Sequence, residues 1–191
     1  MARLCAALLL SLSAIVAHGR TGEPVTVAGA EFAAATSLAE RRLPLAGTGI
    51  ARYGYFIKVY AAALYAPAGL MPPALLSGDH PLRLEIHYLR ELETKVLAEA
   101  AERVLKRQLP PARYQELHPR IERFHGFYQD VAEGDRYTME YVPGAGTTLL
   151  RNGRPVGSVE GADFATAYLG IWLGPDPLSE DLRSALLGTG D

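Results

Sequence analysis

The chain has 191 residues and a formal net charge of −2, with 49% hydrophobic and 21% charged residues. This balance is typical of one globular domain with a full core, and it excludes a disordered or fibrous chain. Acidic and basic residues are mixed along the chain without a Lys/Arg-rich run or an RNP-type motif, so we predict no nucleic-acid partner.

The N-terminal stretch MARLCAALLLSLSAIVAHG predicts an export signal. Arg3 gives the positive start, residues 4–16 the apolar run and residues 17–19 a small-x-small cleavage pattern. A membrane anchor is the alternative, but the apolar run is shorter than the roughly 20 residues that span a bilayer. We therefore expect a signal peptide at 1–19, a single domain at 20–191 without a transmembrane span, and a periplasmic or extracellular location.

Cysteine and histidine usage argues against a metal or a cofactor. Cys5, the only cysteine, lies inside the predicted signal, so the mature chain has no thiol for a nucleophile, an iron–sulfur cluster or a cysteine-based zinc site. His118 and His125 are seven residues apart, but Pro119 lies between them and no flanking carboxylate completes a ligand pattern. We predict no metal and no cofactor.

The first half of the mature chain predicts mainly strands. Residues 25–29 form a short β-rich segment, and residues 43–45 predict a second strand before a tight turn at Gly47–Gly49. A long strand follows at 55–65, because Val, Ile, Phe and Tyr are typical of a half-buried pleated surface. The alanines at 61–63 are equally compatible with a helix.

A helical block follows a clean strand at residues 82–88, where apolar and polar residues alternate. Apolar residues recur every four positions from Glu91, which predicts an amphipathic helix ending near Leu109. A second helical pattern covers residues 114–131, and Pro119 is expected to break it. Together these helices can cover one face of a sheet.

The C-terminal part returns to strands and ends in helices. Three strands are predicted, at residues 136–142, 147–151 and 155–159. Asn152-Gly153 predicts a tight hairpin between the last two. Helices are predicted at 162–173 and from a Ser179 cap to Gly188. Strands on both sides of a helical block, joined by hairpins, indicate an α+β fold with a mostly antiparallel sheet.

Arg52 and Tyr60 are the candidate site residues. If the chain stays extended, alternation gives them one face, where a guanidinium and a phenol meet at the end of a groove lined by alanines. The alternative is an arginine at the strand edge and core tyrosines with hydrated hydroxyls. The periodicity by itself favours that alternative.

Three stretches and the closing LLG together resemble the chalcone isomerase-like family, in particular its exported bacterial members. The stretches are GTGIARYGYFIKVYAAALY, LEIHYLRELETKVLAEA and EGDRYTMEYVPGAGTTLLRNGRPVGSVEGADFATAYLGIWLG. The resemblance runs from about Leu43 to Gly188. It implies an open-faced sandwich, in which a large antiparallel sheet is covered on one face by helices, with a ligand cleft between the two layers.

The resemblance also implies roles for the two candidate residues. In the plant enzymes, an arginine after the glycine turn holds the phenolate of a chalcone, and a threonine on the next strand joins the polar network. Arg52 matches the arginine, while Tyr60 stands at the threonine position, as in the plastid fatty-acid-binding relatives, where the pair binds a carboxylate. The resemblance therefore implies a non-catalytic binder of a fatty acid or similar amphipathic carboxylate.

Two alternatives remain open. One is an isomerase, an intramolecular lyase that closes chalcone-like phenolic enones, with Arg52 stabilising the phenolate and Tyr60 donating a proton. The other is an interaction protein that acts through its surface, in which Arg52 and Tyr60 have no functional role. The expected small ligand is thus a fatty acid or, for the isomerase, a phenolic compound.

Overall fold

The computed structural model describes residues 22–54 and 56–190, which form nine strands and four α-helices. The strands are β1 (Val25–Val27), β2 (Ala30–Phe32), β3 (Ala35–Leu38), β4 (Arg41–Tyr53), β5 (Ile57–Tyr65), β6 (Leu82–Tyr88), β7 (Arg136–Val142), β8 (Gly146–Arg151) and β9 (Arg154–Val159). The helices are α1 (Thr94–Gln108), α2 (Pro111–His125), α3 (Ala162–Leu173) and α4 (Glu180–Leu186). The export signal predicted at 1–19 lies outside the described residues. In the described part of the chain, no helix has the length and apolar character needed to cross a bilayer.

One curled antiparallel sheet of seven strands dominates the fold. Its strand order, β3 to β9, follows the chain, while β1 and β2 pair as a separate hairpin. All four helices contribute buried residues to one core on one face of the sheet, among them Leu105, Phe124, Tyr168 and Leu182. The predicted α+β class and open-faced sandwich are confirmed.

The alanine run at 61–63 lies in β5, a central strand that pairs with β4 and β6. Residues of β5 alternate between two apolar clusters, one under the helices and one on the opposite face of the sheet. The helix side receives Tyr60, Ala62 and Leu64, and the opposite side receives Ala61, Ala63 and Tyr65. Since both faces of this strand are covered, small side chains let the layers approach the sheet closely.

The turn predicted at Gly47–Gly49 is wrong, because these residues lie inside β4. A Cβ on Gly47 would lie 2.2 Å from the carbonyl oxygen of Ala185 in α4, so glycine is needed there for a close helix–strand contact. The strand predicted at 43–45 is part of the same β4. The chain reverses at Gly54, whose φ is +61°, and β5 begins at Ile57.

The break predicted at Pro119 is also wrong, since α2 runs through it without interruption. Pro119 lacks the N–H that would bond to the carbonyl of Gln115. Both residues are exposed, so that carbonyl faces solvent instead of the core. The apolar face of α2 keeps its register on either side of the proline, with four buried residues, Tyr114, Leu117, Ile121 and Phe124.

The C-terminal part agrees with the sequence predictions. Strand β7 and helix α3 have the predicted bounds. Asn152 and Gly153 have φ angles of +49° and +78°, the left-handed pair that a tight hairpin turn requires. The Ser179 hydroxyl accepts a hydrogen bond of 3.2 Å from the backbone N–H of Leu182 and caps α4.

Helices α1 and α2 form one excursion between the neighbouring strands β6 and β7. Leu92 and Val131 flank this excursion and exchange two backbone hydrogen bonds of 2.9 Å each. Asp130 accepts hydrogen bonds from the backbone N–H and the hydroxyl of Thr94, at 2.7 and 2.8 Å, and so caps the start of α1. The chain therefore leaves the sheet and returns to it at the same place.

Candidate ligand-binding cleft

A cleft of about 660 Å³ lies between the sheet and the helix layer. Five strands, β4 to β8, form its floor, with Ala51, Tyr60, Tyr88, Tyr137, Met139 and Leu149 among the lining residues. The volume lies within the range of about 300–1,000 Å³ that is common for small-molecule sites. The fold thus provides a mostly apolar space of ligand size at the centre of the molecule.

Helix α1 forms the side wall of the cleft. Val96, Leu97, Ala100 and Ala101 line it, and their spacing places them on one side of the helix. The alanines leave open space where larger side chains would fill it. Trp172 of α3 lies at the inner end. It is the only tryptophan of the chain.

Arg52 lies at the mouth of the cleft, on β4. Its side chain is exposed and makes no hydrogen bond or ion pair with any residue that the structure describes. In the β4–β5 ladder, Ala51 pairs with Tyr60 but Arg52 pairs with Lys58, so Val59 is an extra residue in β5. Such a bulge increases the local twist of the hairpin. Both Arg52 and the neighbouring Tyr53 line the cleft at this point.

Tyr60 lies deeper, on the floor, and is 7% exposed. Its hydroxyl oxygen accepts a hydrogen bond of 2.9 Å from Nε1 of Trp172. Burial raises the pKa of Tyr60 to about 12, although the bond from Trp172 opposes the shift. The phenol therefore stays protonated at neutral pH. Within residues 22–54 and 56–190, its hydrogen has no acceptor, so it remains available to a ligand.

Both predicted site residues line one cleft, but alternation along one extended strand is not what brings them together. A single extended strand does not connect Arg52 and Tyr60, because the chain reverses at Gly54. Tyr60 faces Ala51 across the ladder, and the bulge at Val59 lies beside Arg52. Arg52 therefore stands at the entrance and Tyr60 inside, one strand further along the floor.

A row of tyrosines extends from Tyr60 across the floor and was missed as part of the site. The ring centres of Tyr60 and Tyr88 are 6.0 Å apart, and those of Tyr88 and Tyr137 are 6.1 Å apart. Tyr128 continues the row, 5.4 Å from Tyr137. In the sequence, Tyr88 is one of the apolar residues of the alternating strand at 82–88, and Tyr137 lies in the predicted strand at 136–142. Strand register, which the sequence does not specify, brings them together.

The hydroxyls of these tyrosines differ in their hydrogen bonds. Tyr137 accepts a bond of 2.8 Å from the backbone N–H of Gln129, and Tyr128 pairs with the hydroxyl of Tyr168 at 2.8 Å. The Tyr88 hydroxyl has no partner among the described residues. Burial raises the pKa of Tyr88 well above its usual value, so this hydroxyl also stays neutral.

The entrance carries charged and apolar side chains together. Besides Arg52, four exposed charged residues line it, namely Arg90, Glu91, Glu99 and Arg103. Three arginines against two glutamates give the rim a slight positive excess. Tyr53 and Leu178, 76% and 40% exposed, add apolar surface beside these charges. Such a rim suits a molecule with an anionic head and an apolar body.

Among the residues that the structure describes, no three His, Cys, Asp or Glu side chains are grouped so that they could hold a metal ion. The two histidines considered as ligands each lie near one glutamate instead. His118 is 3.8 Å from Glu122, and His125 is 4.0 Å from Glu102. The first contact lies within α2 and the second joins α2 to α1. Burial lowers the pKa of His125 below its usual value, which favours the neutral imidazole.

Comparison with known proteins agrees with this geometry. A solved structure of a fatty-acid-binding protein from Arabidopsis thaliana superposes with a TM-score of 0.66 and 18% identity, over 86% of this chain and 96% of that chain. At this identity the likeness shows the fold. No curated protein sequence gives a significant match. The family described as chalcone isomerase-like matches residues 24–188, which include every strand and helix described above. The chain therefore belongs to the chalcone isomerase-like family.

Proposed function

We propose that this protein binds a fatty acid or a similar amphipathic carboxylate in the cleft and does not catalyse a reaction on it. The observation that carries the proposal is the combination of an apolar cleft with Arg52, unpaired among the described residues, at its mouth. The shared fold with a fatty-acid-binding protein supports it. The sequence pattern of residues 1–19 extends the proposal to a periplasmic or extracellular role.

Arg52 and Tyr60 are suited to hold the carboxylate. A guanidinium offers parallel N–H donors that match the two oxygens of a carboxylate, and such charge-assisted bonds are stronger than neutral ones. Tyr60 adds a third donor, and the bond that it accepts from Trp172 polarises its own O–H group and fixes the ring. The head group would then lie between the rim and the first tyrosine of the floor.

The alkyl tail would lie along the floor, against the apolar side of α1. Val96, Leu97 and Ala100 border this space on one side, and Met139 and Leu149 border it on the other. Each methylene that leaves water contributes about 0.8 kcal/mol, so affinity should rise with chain length until the cleft is full. Chain-length dependence is thus a direct signature of the proposed binding mode.

The isomerase alternative requires Tyr60 to donate a proton, and its buried environment does not favour this. A general acid works best when its pKa lies near the operating pH. Burial moves the pKa of Tyr60 in the other direction, to about 12, which keeps the hydroxyl protonated and makes it a weak proton donor. This observation favours binding over proton transfer.

Trp172 allows a direct test, because it is the only tryptophan and lines the cleft. The mature protein is titrated with saturated fatty acids of increasing chain length while tryptophan fluorescence is recorded. We expect a saturable change and a dissociation constant that falls with chain length. Arg52→Ala should weaken binding about thirtyfold, because it removes charge-assisted hydrogen bonds. Arg103→Ala, at the same rim but on α1, is the matched control and should change affinity less than about threefold.

Each other outcome has a distinct meaning. Absence of a saturable signal for every chain length, repeated by calorimetry, contradicts the proposal. Loss of binding in Arg103→Ala rather than Arg52→Ala would place the head group on the α1 side of the rim and contradict the proposed role of Arg52. Catalysed ring closure of a chalcone that Arg52→Ala abolishes would establish the isomerase instead.

A further inference from the structure

Tyr88 has an unusual position in the cleft. It lies on β6 in the middle of the floor, is 4% exposed, and packs edge-on between Tyr60 and Tyr137. Its side chain borders the open volume of the cleft. The hydroxyl has no hydrogen-bond partner among residues 22–54 and 56–190.

The hydroxyls of the other tyrosines of the row each take part in at least one hydrogen bond. That of Tyr60 accepts from Trp172, and that of Tyr137 accepts from the backbone N–H of Gln129. That of Tyr128 pairs with the hydroxyl of Tyr168. The described residues also include four fully enclosed polar atoms without a partner, His87 Nδ1, His125 Nε2, Thr147 Oγ1 and Arg151 Nε. The Tyr88 hydroxyl is not one of these enclosed atoms, because it meets the cleft. It is therefore a polar group that only the contents of the cleft can satisfy.

A plain alkyl chain and an oxygenated chain would meet this hydroxyl differently. A methylene laid over it would strip away water and leave the O–H group unsatisfied, which is unfavourable. An oxygen at the same place would accept the Tyr88 hydrogen and restore the lost bond. We infer that the Tyr88 hydroxyl is a second polar subsite, and that the preferred ligand is a long-chain carboxylate with a hydroxyl or carbonyl oxygen partway along its chain. This inference rests on the proposed function.

The distance between the two subsites places this oxygen away from the carboxylate. Tyr88 faces Tyr60 across the β5–β6 ladder, and Tyr60 faces Ala51, next to Arg52, across the β4–β5 ladder. One strand spacing separates Tyr88 from Tyr60 and two separate β6 from β4, so this hydroxyl lies about 5–10 Å from the carboxylate held by Arg52 and Tyr60. The second oxygen therefore belongs partway along the chain rather than beside the head group.

The test compares two probes that differ by one oxygen, stearic acid and a stearic acid hydroxylated at mid-chain. Calorimetry gives the dissociation constants of both with the wild-type protein, Tyr88→Phe and Tyr141→Phe. Tyr141 is the matched control, since this β7 tyrosine donates its hydroxyl to the carbonyl of Gly78 and does not line the cleft. The wild type should prefer the hydroxy acid about fivefold, the worth of one hydrogen bond.

Tyr88→Phe should abolish the preference and bind stearic acid at least as tightly as the wild type, whereas Tyr141→Phe should keep the preference. The melting temperature of unliganded Tyr88→Phe should equal that of the wild type, because no protein hydrogen bond is lost. If the wild type binds both acids equally, or if Tyr88→Phe keeps the preference, the second subsite is wrong while fatty-acid binding stands. If the wild type binds neither acid, the proposed function fails and this inference fails with it.

Discussion

Two groups of polar side chains, on either side of the seven-stranded sheet, differ in how they are satisfied. On the face away from the helices, Glu85 lies between two arginines, and each charge in this group has an opposite charge beside it. At the cleft, Arg52 and the Tyr88 hydroxyl have no partner among the described residues. The comparison separates a charged group that satisfies itself from the polar groups to which the proposed function assigns a ligand.

The charged network ties several elements together. Glu85 accepts hydrogen bonds from Arg83 at 2.8 Å and from Arg136 at 2.5 Å, and Arg83 also bonds to Glu140. Arg136 reaches further, with its guanidinium 5.0 Å from the ring centre of Phe32 in β2. Arg136 also donates a hydrogen bond of 3.1 Å to the carbonyl of Glu31, so this arginine and the apolar packing of Ala30 and Phe32 together hold the β1–β2 hairpin against this face of the sheet.

On the helix face, α4 is held against the sheet mainly by close packing. Helix α4 lies so close to β4 that a side chain on Gly47 would collide with the backbone of the helix. Gly49, two residues further on, would meet side-chain atoms of Leu182 and Ala185 at 2.8 and 2.9 Å, with the nearest backbone atom of α4 at 3.7 Å. Close packing against β4 therefore holds α4 in place.

The largest expected effect comes from breaking the charged network. Glu85→Ala leaves Arg83 and Arg136 without their shared partner, in a region where the Glu85 side chain is 7% exposed. We expect the free energy of unfolding to fall by about 3 kcal/mol, measured by urea denaturation, with ligand affinity unchanged. Glu140→Gln, which removes a charge with a single arginine contact, should cost less. Equal costs for the two variants would contradict a central role for Glu85.

A smaller effect is expected from filling the close contact between α4 and β4. Gly47→Ala places a methyl group against backbone atoms that cannot move independently, and should lower the free energy of unfolding by about 2 kcal/mol. Gly49→Ala is the matched control and should cost less, since its closest contact is a Leu182 methyl group that can shift, and it meets no backbone atom of α4 closer than 3.7 Å. Chemical denaturation of both variants checks the order. If Gly49→Ala is the more costly change, backbone contact is not what requires glycine here.

The smallest effect concerns a charged group on the helix side, Asp163 at the start of α3. Hydrogen bonds from Arg120 lower the pKa of Asp163 to about 2, and the nearby charge of Arg113 adds to the shift. Since the folded pKa lies below the unfolded value, these bonds stabilise the protein above about pH 4 and are lost as the pH falls through about 2. The carboxylate is partly exposed, so solvent screening limits the contribution to about 1 kcal/mol.

Asp163→Asn should therefore flatten the dependence of the urea midpoint on pH between about 4 and 2. Some dependence should remain, because the pKa of Asp135 is also lowered to about 2, chiefly by a hydrogen bond from the backbone of Ala132. Urea midpoints of the wild type and the variant at several pH values provide the measurement. An unchanged slope in Asp163→Asn would show that the Asp163 pairs do not contribute to acid stability.

Local patterns predicted much of the fold. Alternation found β6 and β7, helical spacing found α1, and Asn152-Gly153 marked a hairpin. The errors came where a residue type has more than one use. In the sequence, Gly47 and Gly49 predict a turn. In the structure, glycine is needed there because α4, more than 130 residues away in the chain, packs closely against this strand. Pro119 predicts a helix break, but α2 continues through it because the proline is at an exposed position of the helix.

The site was predicted only in part, for a related reason. The family resemblance singled out Arg52 and Tyr60, and the structure brings both to one cleft. Tyr88 was seen as one residue of an alternating strand. Its importance depends on the strand pairing opposite Tyr60 and on the absence of a partner for its hydroxyl in the described part of the chain. Both are long-range properties that no local pattern carries.

The two backbone hydrogen bonds between Leu92 and Val131 bear on how the cleft can change while the sheet stays the same. The helical excursion supplies the side wall of the cleft, yet none of the hydrogen-bond ladder of the sheet passes through residues 93–130. Under the proposed function, substitutions on the inner side of α1 would therefore reshape the space for a ligand tail without altering strand pairing, while the proposed head-group site stays on β4 and β5. We expect the preference for chain length or chain shape to change independently of carboxylate recognition, because the two depend on different elements.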